Sequence, residues 1–441
     1  MGTNNAESQI YTANQAIAAS SHVTIVVIST LSSGSQETEG HDELQGARVF
    51  QKERNDECQR FSCPQVKLLV ANAGDDLQYA GLVAQQIAYL KRHGEPIIGI
   101  VGMPVSTPGA IDGIRDLSGQ DILVVSSTES SDALPATPSY FRVAPLDSRQ
   151  GLINTQFVQK NFQQLKKVVI FYALDNPYSQ TLATSFGHAL SKNGYTLHYE
   201  GFQRLVSPSQ RTTKIATDVQ EVAQKYSPSR DTLIFCACYS DDLDRLLTDL
   251  RTPPYQGTFQ NIPVDSGDGA YNLGGYNSTG QHSMNYQNIY FSAFAFPDEW
   301  PGVDISHCLP SNPSVAQRFF CDYADDFDPH RQHVGSPYGY TRADSQAILA
   351  YDAVTVLVTA YGVAKQKNAE PSANDIQQAL LGGDGCGNFQ GVSGQITFGV
   401  DGSAVDKALV MIYVNQSGDA RIMGNVWGQL QVARSQCVLG P

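Results

Sequence analysis

Positive charge is scarce in this sequence. Its 29 Lys and Arg stand against 43 Asp and Glu, a formal net charge of −14 over 441 residues. No run rich in Lys or Arg occurs anywhere. A duplex-binding surface needs a basic stripe to neutralise phosphates, so nucleic acid is excluded as a main partner. Long apolar runs are missing as well. Those present, such as Val23 to Ile28 and Ile97 to Val101, have strand length. They fall short of the roughly 18 to 20 residues that cross a bilayer. The opening MGTNNAESQIYTANQ shows neither the basic nor the apolar segment of a secretion signal. The expectation is a chain that is either cytoplasmic or has its signal or anchor outside this sequence.

The short motifs of common enzyme chemistries are absent too. There is no GxSxG elbow, no GxxxxGK phosphate loop, no HExxH, and no GxGxxG opening a helix after a strand. An enzyme is not expected, and no cofactor is called for. His330 and His333 lie beside Asp326 and Asp328 and could hold a surface metal, but a solvated charged loop is the plainer reading. The acids Asp322, Asp325, Asp326 and Asp328 lack the glycine and closing glutamate of a calcium loop. No metal site is expected.

What remains is a globular composition, 41% hydrophobic, in a chain long enough for two or three domains. Eight cysteines, an even number, favour an oxidising compartment. Cys58–Cys63 and Cys308–Cys321 are the expected pairs because each closes a short local loop, with Cys386–Cys437 a third. Cys236 and Cys238 fall on one face of a strand, where a soft-metal site is conceivable but two buried small hydrophobes are expected.

The repeating unit is a short apolar strand, a polar turn and an amphipathic helix. VTIVVI (23–28), VKLLVA (66–71), PIIGIV (96–101), DILVV (121–125), KVVIFY (167–172) and TLIFCAC (232–238) read as buried strands. Between them, Ala80, Val83, Ala84, Ile87 and Leu90 recur at helical spacing, as do Leu182, Phe186, Ala189 and Leu190, and Leu243, Leu246, Leu247 and Leu250. Alternation over 300 residues predicts an α/β fold with doubly wound parallel sheets, and the length accommodates two. A long helix is expected from Ser345 to about Lys365, followed by late strands ITFG and ALVMIYV.

The order of local patterns carries a resemblance. IIGIVGMPVSTPGA, DILVVSSTESSDAL and SYFRVAPLDSRQG between 97 and 151, KKVVIFYALDNPYSQTLATSF at 166–186, IFCACYSDDLDRLL at 234–247, VDSGDGAY at 264–271, YTRADSQAILAYDAVTVLVTA at 340–360 and GVSGQITFGVDG at 391–402 resemble the type I periplasmic binding proteins, in the Leu/Ile/Val-binding branch. The resemblance spans about residues 22 to 415, with insertions around 253–288 and 298–335.

It implies two lobes joined by a three-segment hinge: 22–143 plus 298–392, and 145–296 plus 396–441, with 1–21 as an extension. It implies a monomeric extracytoplasmic solute-binding protein that closes on an amino acid or similar polar ligand and delivers it to an ABC permease. A sensing ectodomain of the same fold is the alternative. Ligands in such sheets lie at strand carboxyl ends.

The implied contacts are Ser106 and Thr107 after IIGIV, and Thr128 and Ser130 after DILVV, for a carboxylate. Tyr178 and Tyr239 would form a lid, and Asp268 would meet the ammonium, with Asp265 its register-shifted competitor. Glu129 departs from the family pattern, and either points to solvent or marks a pocket for a more polar or cationic ligand.

Overall fold

The computed structural model describes residues 5–17, 22–32, 37–61, 63–271, 287–300, 302–303, 308, 314–327, 343–383, 387–416, 420–424 and 426–431. The first sheet contains β1 (His22–Ser29), β2 (Gln65–Asn72), β3 (Ile97–Gly102), β4 (Val124–Ser126) and β5 (Tyr140–Arg142) in the order β2-β1-β3-β4-β5. Every pairing in it is parallel. Val23 through Ser29 are all buried, because helices cover both faces and leave no polar side for the strand to alternate toward.

The second sheet starts with β6 (Lys167–Ala173), β7 (Thr196–Phe202), β8 (Thr232–Ala237), β9 (Val264–Ser266) and β10 (Ile289–Ala293). Its order β7-β6-β8-β9-β10 repeats that of the first sheet. A short ribbon, β11 (Phe389–Gly391) and β12 (Gly394–Ile396), precedes β13 (Val410–Val414) and β14 (Ala420–Ile422). The last two extend the second sheet beyond β10 and run antiparallel. The parallel reading therefore holds for both cores but not for this edge, where the chain arrives without a crossover helix.

Two helices depart from expectation. Glu37–Phe61 has only a short apolar patch, Leu44, Ala47, Val49 and Phe50, and also buries Glu39, Asp42, Glu43, Gln51, Arg54 and Asn55. Its amides dress the edge strand: Asn55 Oδ1 accepts the Val66 N–H at 2.7 Å, and Asn55 Nδ2 donates to the Val66 carbonyl at 3.1 Å. Ser345–Lys367 is long and apolar enough to cross a membrane, contrary to the reading that no run approaches that length. It is buried on nearly all sides between the helices Glu37–Phe61 and Ala373–Leu380 and the strands β3 and β4. Gly46 lets the two long helices touch, since a Cβ there would collide with the Ala347 carbonyl.

Disulfides join Cys58 to Cys63 and Cys308 to Cys321, as the loop lengths suggest. Cys58 lies in the last turn of a helix and not in a loop. Cys236 and Cys238 are also joined, so the expectation of two separate small hydrophobes is corrected, although both are buried. Cys386, Cys437, Asp328, His330 and His333 lie outside the described residues. Asp322 and Asp326 belong to the helix Val315–Phe327 and face Lys52 and Arg48, not open solvent.

From β5 the chain enters the second sheet. After β10 it returns to helices packed on the first, and through the ribbon it reaches β13. These three passages are tied together. Arg142 N–H donates to the Gly402 carbonyl at 2.9 Å, and Trp300 Nε1 to the Val392 carbonyl at 2.6 Å. Lys407, fully buried, donates to Ser393 Oγ at 2.7 Å and to the Ser393 carbonyl. Asp352 of the long apolar helix accepts the Val392 and Ser393 N–H groups at 2.7 and 2.8 Å. Burial pushes Lys407 down to about 8, with Asp352 and Glu299 pulling it up. Glu299 is pushed up to about 8, also by burial.

Removing one partner of a buried charge pair leaves the other uncompensated, at a cost of about 3–5 kcal/mol. Lys407→Met is expected to lower the free energy of urea unfolding by that order. A loss below about 1 kcal/mol would remove Lys407 from the role of a charge partner, being the range of a solvent-exposed pair.

Candidate functional site

In both sheets β1 or β6 is flanked by strands reached in opposite directions, which opens a crevice at the carboxyl ends. The loops after β3 and β4 form one wall. Ser106 Oγ accepts the N–H groups of Ser130 and Ser131 at 3.1 and 3.2 Å, which leaves its own proton to donate. Thr128 Oγ1 donates to the Pro104 carbonyl at 2.8 Å, binding the two loops into one shelf. Ser130 supports the far side, its carbonyl accepting the Asp147 N–H at 2.9 Å.

Thr107 is not on that wall. It caps the helix Pro108–Ser118, its Oγ1 accepting the Ala110 N–H at 3.2 Å and donating to the Asp76 carbonyl at 2.6 Å. The hydroxyl placed for a carboxylate caps the helix start instead. Glu129 takes neither of its two expected positions. It is buried inside the first lobe, where it accepts from the Tyr140 hydroxyl at 2.6 Å with Arg142 nearby, and burial pushes it up to about 8.

The second wall comes from the loops after β6, β8 and β9. Tyr178 follows the Asn176 cap of the helix Pro177–Lys192, whose side chain accepts the Ser179 N–H at 3.0 Å. Its hydroxyl accepts the Gly269 N–H at 3.0 Å and faces the Asp268 carboxyl. A Cβ at Gly267 would collide with that hydroxyl, so the glycines around Asp268 make room for the tyrosine. Tyr239 packs on Tyr178 with ring centroids 5.1 Å apart and carries the Arg204 guanidinium 4.7 Å from its own ring centroid.

Asp268 Oδ1 accepts from Gln150 Nε2 at 2.9 Å. Burial pushes its carboxyl up to about 7 against the hydrogen bonds from Gln150 and Tyr178. Asp147 stands behind it, raised by its own burial and further by Asp268. The competitor Asp265 is held in β9 by Asn154 at 3.2 Å, away from the cleft.

Ser106, Thr128, Ser130, Tyr178, Tyr239 and Asp268 thus line one cleft of about 330 Å³. Glu39, Pro104, Gly269 and Gln346 complete its lining and were not foreseen. Glu39 follows β1, the switch strand, so its position alone could have flagged it. Gln346 opens the long apolar helix, whose cap Asp344 accepts the Ala347 N–H at 2.8 Å. The two rims touch directly. Asn176 Nδ2 donates to the Ser106 carbonyl at 3.4 Å, and the Ser131 and Thr181 hydroxyls are 3.0 Å apart. Arg204 Nε lies 3.8 Å from Asp76 and is also held by Asp241 and Asp242.

A larger hollow of about 780 Å³ adjoins the amino ends of β8 and β9, beside Leu250, Arg251 and Phe259. It gathers none of the candidate ligand-binding residues.

Among curated proteins none matches this sequence. The family model described as "Receptor family ligand binding region" matches residues 61–417. Among solved structures, a leucine binding protein, LivK, from Thermotoga maritima is 19% identical, with a TM-score of 0.69 over 92% of this chain and 99% of that one. The branched-chain amino acid transporter substrate binding protein LivJ from Streptococcus pneumoniae, in complex with isoleucine, is 19% identical, with a TM-score of 0.65 over 91% and 99%. An ABC transporter solute binding protein from R. palustris, in complex with 4-hydroxybenzoate, is 12% identical, with a TM-score of 0.69 over 93% and 98%. The fold is that of the type I periplasmic binding proteins, and the chain belongs to the receptor-family ligand-binding-region family.

Proposed function

We propose that this protein is an extracytoplasmic solute-binding protein that closes on an amino acid or a close derivative and presents it to an ABC importer, without making or breaking a bond. One observation carries the reading. Loops from two sheets of identical core order converge on a small polar cleft in which a buried carboxyl, Asp268, faces hydroxyl donors on the opposite wall. Asp268 supplies the counter-charge for an α-ammonium. The free Ser106 proton, with Ser130 beside it, serves the α-carboxylate. Tyr178 and Tyr239 lie over the ligand, their rings excluding water. Lobe limits near 143–145, 296–298 and 392–396 fit the three passages between the sheets, which would act as the hinge.

Three disulfides among the described residues suit an oxidising compartment, outside the cytoplasm. The neighbours divide between proteins solved with amino acids and proteins solved with aromatic acids. The carboxyls in this cleft favour the former, because an aromatic acid brings negative charge and no cation to meet them.

A panel of amino acids, aromatic acids, sugars and nucleosides screened by thermal unfolding tests the class. A hundredfold excess of the true ligand over its Kd raises stability by about 2.7 kcal/mol. A shift with aromatic acids alone would overturn the amino-acid reading. Asp268→Asn is expected to weaken amino-acid binding by about 3 kcal/mol, more than a hundredfold in Kd.

The raised Asp268 pKa gives the pH dependence a sign. A bound ammonium favours the carboxylate, so binding expels the proton that the ligand-free protein retains below about 7. Affinity should be constant above pH 7 and fall below it, by up to about tenfold per unit. A Kd unchanged between pH 5 and 8 would remove Asp268 as the counter-ion.

A further inference from the structure

The side chain of a bound amino acid would meet the wall opposite Asp268. Glu39, at the start of the helix Glu37–Phe61, lines the cleft from the first lobe and is 3% exposed, while Asp268 lines it from the second. No Lys, Arg or His lies among the lining residues, and no Leu, Ile, Val, Met or Phe does either. An aliphatic side chain would find only Pro104 and tyrosine rings to pack on. A ligand with a second carboxylate would face two acids without a cation. The nearest guanidinium on the tyrosine side, Arg204, is committed to Asp76, Asp241 and Asp242 and lies against the Tyr239 ring.

Each cleft acid is backed by another carboxyl. Asp42 stands close enough to Glu39 to feel its charge, and Asp147 close enough to Asp268. Both ends of the cleft therefore hold clustered carboxyls that a ligand cation would draw into their charged form, and Gln346, also in the lining, adds an amide that can accept or donate.

We infer that the ligand is an amino acid with a basic, donor-bearing side chain, of the lysine, ornithine or arginine kind, whose side-chain cation is received by Glu39 while Asp268 holds the α-ammonium. Glu39 is then the specificity-determining residue. A side-chain cation there regains the charge partner it loses on leaving water, whereas a leucine gains little from a wall of hydroxyls and carboxyls. The inference rests on the amino-acid reading of the cleft.

Titration calorimetry of the intact protein with L-arginine, L-lysine, L-ornithine, L-glutamine, L-leucine and L-glutamate tests it. At least one basic amino acid should bind roughly tenfold or more tighter than leucine and glutamate, the size of effect one desolvated charge pair gives. Glu39→Gln should weaken that basic ligand by a similar factor while changing glutamine by less than about threefold, since its amide side chain makes no ion pair. If leucine or glutamate binds as tightly as every basic amino acid, or if Glu39→Gln weakens all ligands alike, the assignment of Glu39 is overturned. If no amino acid binds, the amino-acid reading itself fails. Should Glu39→Gln not fold, as judged by circular dichroism, the ranking of the unaltered protein decides alone.

Discussion

Where the chain passes between its two sheets, one ammonium group sits entirely out of water. Lys407 is bonded to Ser393 and feels the charges of Asp352 and Glu299, which belong to the last passage, to the helix packed on the first sheet, and to the stretch just after β10. A buried charge of this kind is stable only with good geometry and satisfied hydrogen bonds. That requirement fixes the passages against one another. Once they are fixed, the carboxyl ends of two sheets of matching order face each other, and the cleft follows. The Arg142–Gly402 and Trp300–Val392 hydrogen bonds add register to what the charge group places.

A second theme is the distribution of negative charge. The excess of acid is not confined to the surface. Glu43, Glu129, Asp147, Asp265, Asp344 and Asp352 are buried, and each is raised by desolvation. Most accept a hydrogen bond from a neutral donor: Ser127 for Glu43, Tyr140 for Glu129, Thr181 for Asp147, Asn154 for Asp265. A protein interior that holds carboxyls this way needs few lysines and arginines, which is consistent with the imbalance seen in composition.

The sequence was most legible where the physics is periodic. Strands such as VTIVVI and the helices at 80–92 and 177–192 stand where their patterns put them. Ser106, Tyr178 and Asp268 come together after strand ends, which periodicity marks, but the choice of these side chains over their neighbours came from the family resemblance. Thr107 sits at a helix cap outside the cleft lining, since a hydroxyl before a helix can cap it as readily as it can meet a ligand, and only three-dimensional contacts separate the two. The helix Glu37–Phe61 was invisible because acids and amides are interleaved with Leu44, Ala47, Val49 and Phe50 on its buried side, which blurs the apolar periodicity. Glu39 was lost with it. Cys236 and Cys238 were read as separate because their spacing puts them on one face of a strand, where burial or a soft metal is the ordinary reading and a bond between near neighbours is not.

The direct bonds between the rims have a kinetic side. Asn176 to Ser106, Ser131 to Thr181 and Arg204 to Asp76 span the mouth of the cleft from one lobe to the other. A molecule held inside leaves only after these contacts separate, so its residence time contains the rate of lobe opening as well as the strength of its own contacts. Two ligands of unequal affinity would then differ less in departure rate than in equilibrium, wherever opening is the slower step. For a protein that hands its cargo to a partner, control of release would lie with whatever surface pries the rims apart.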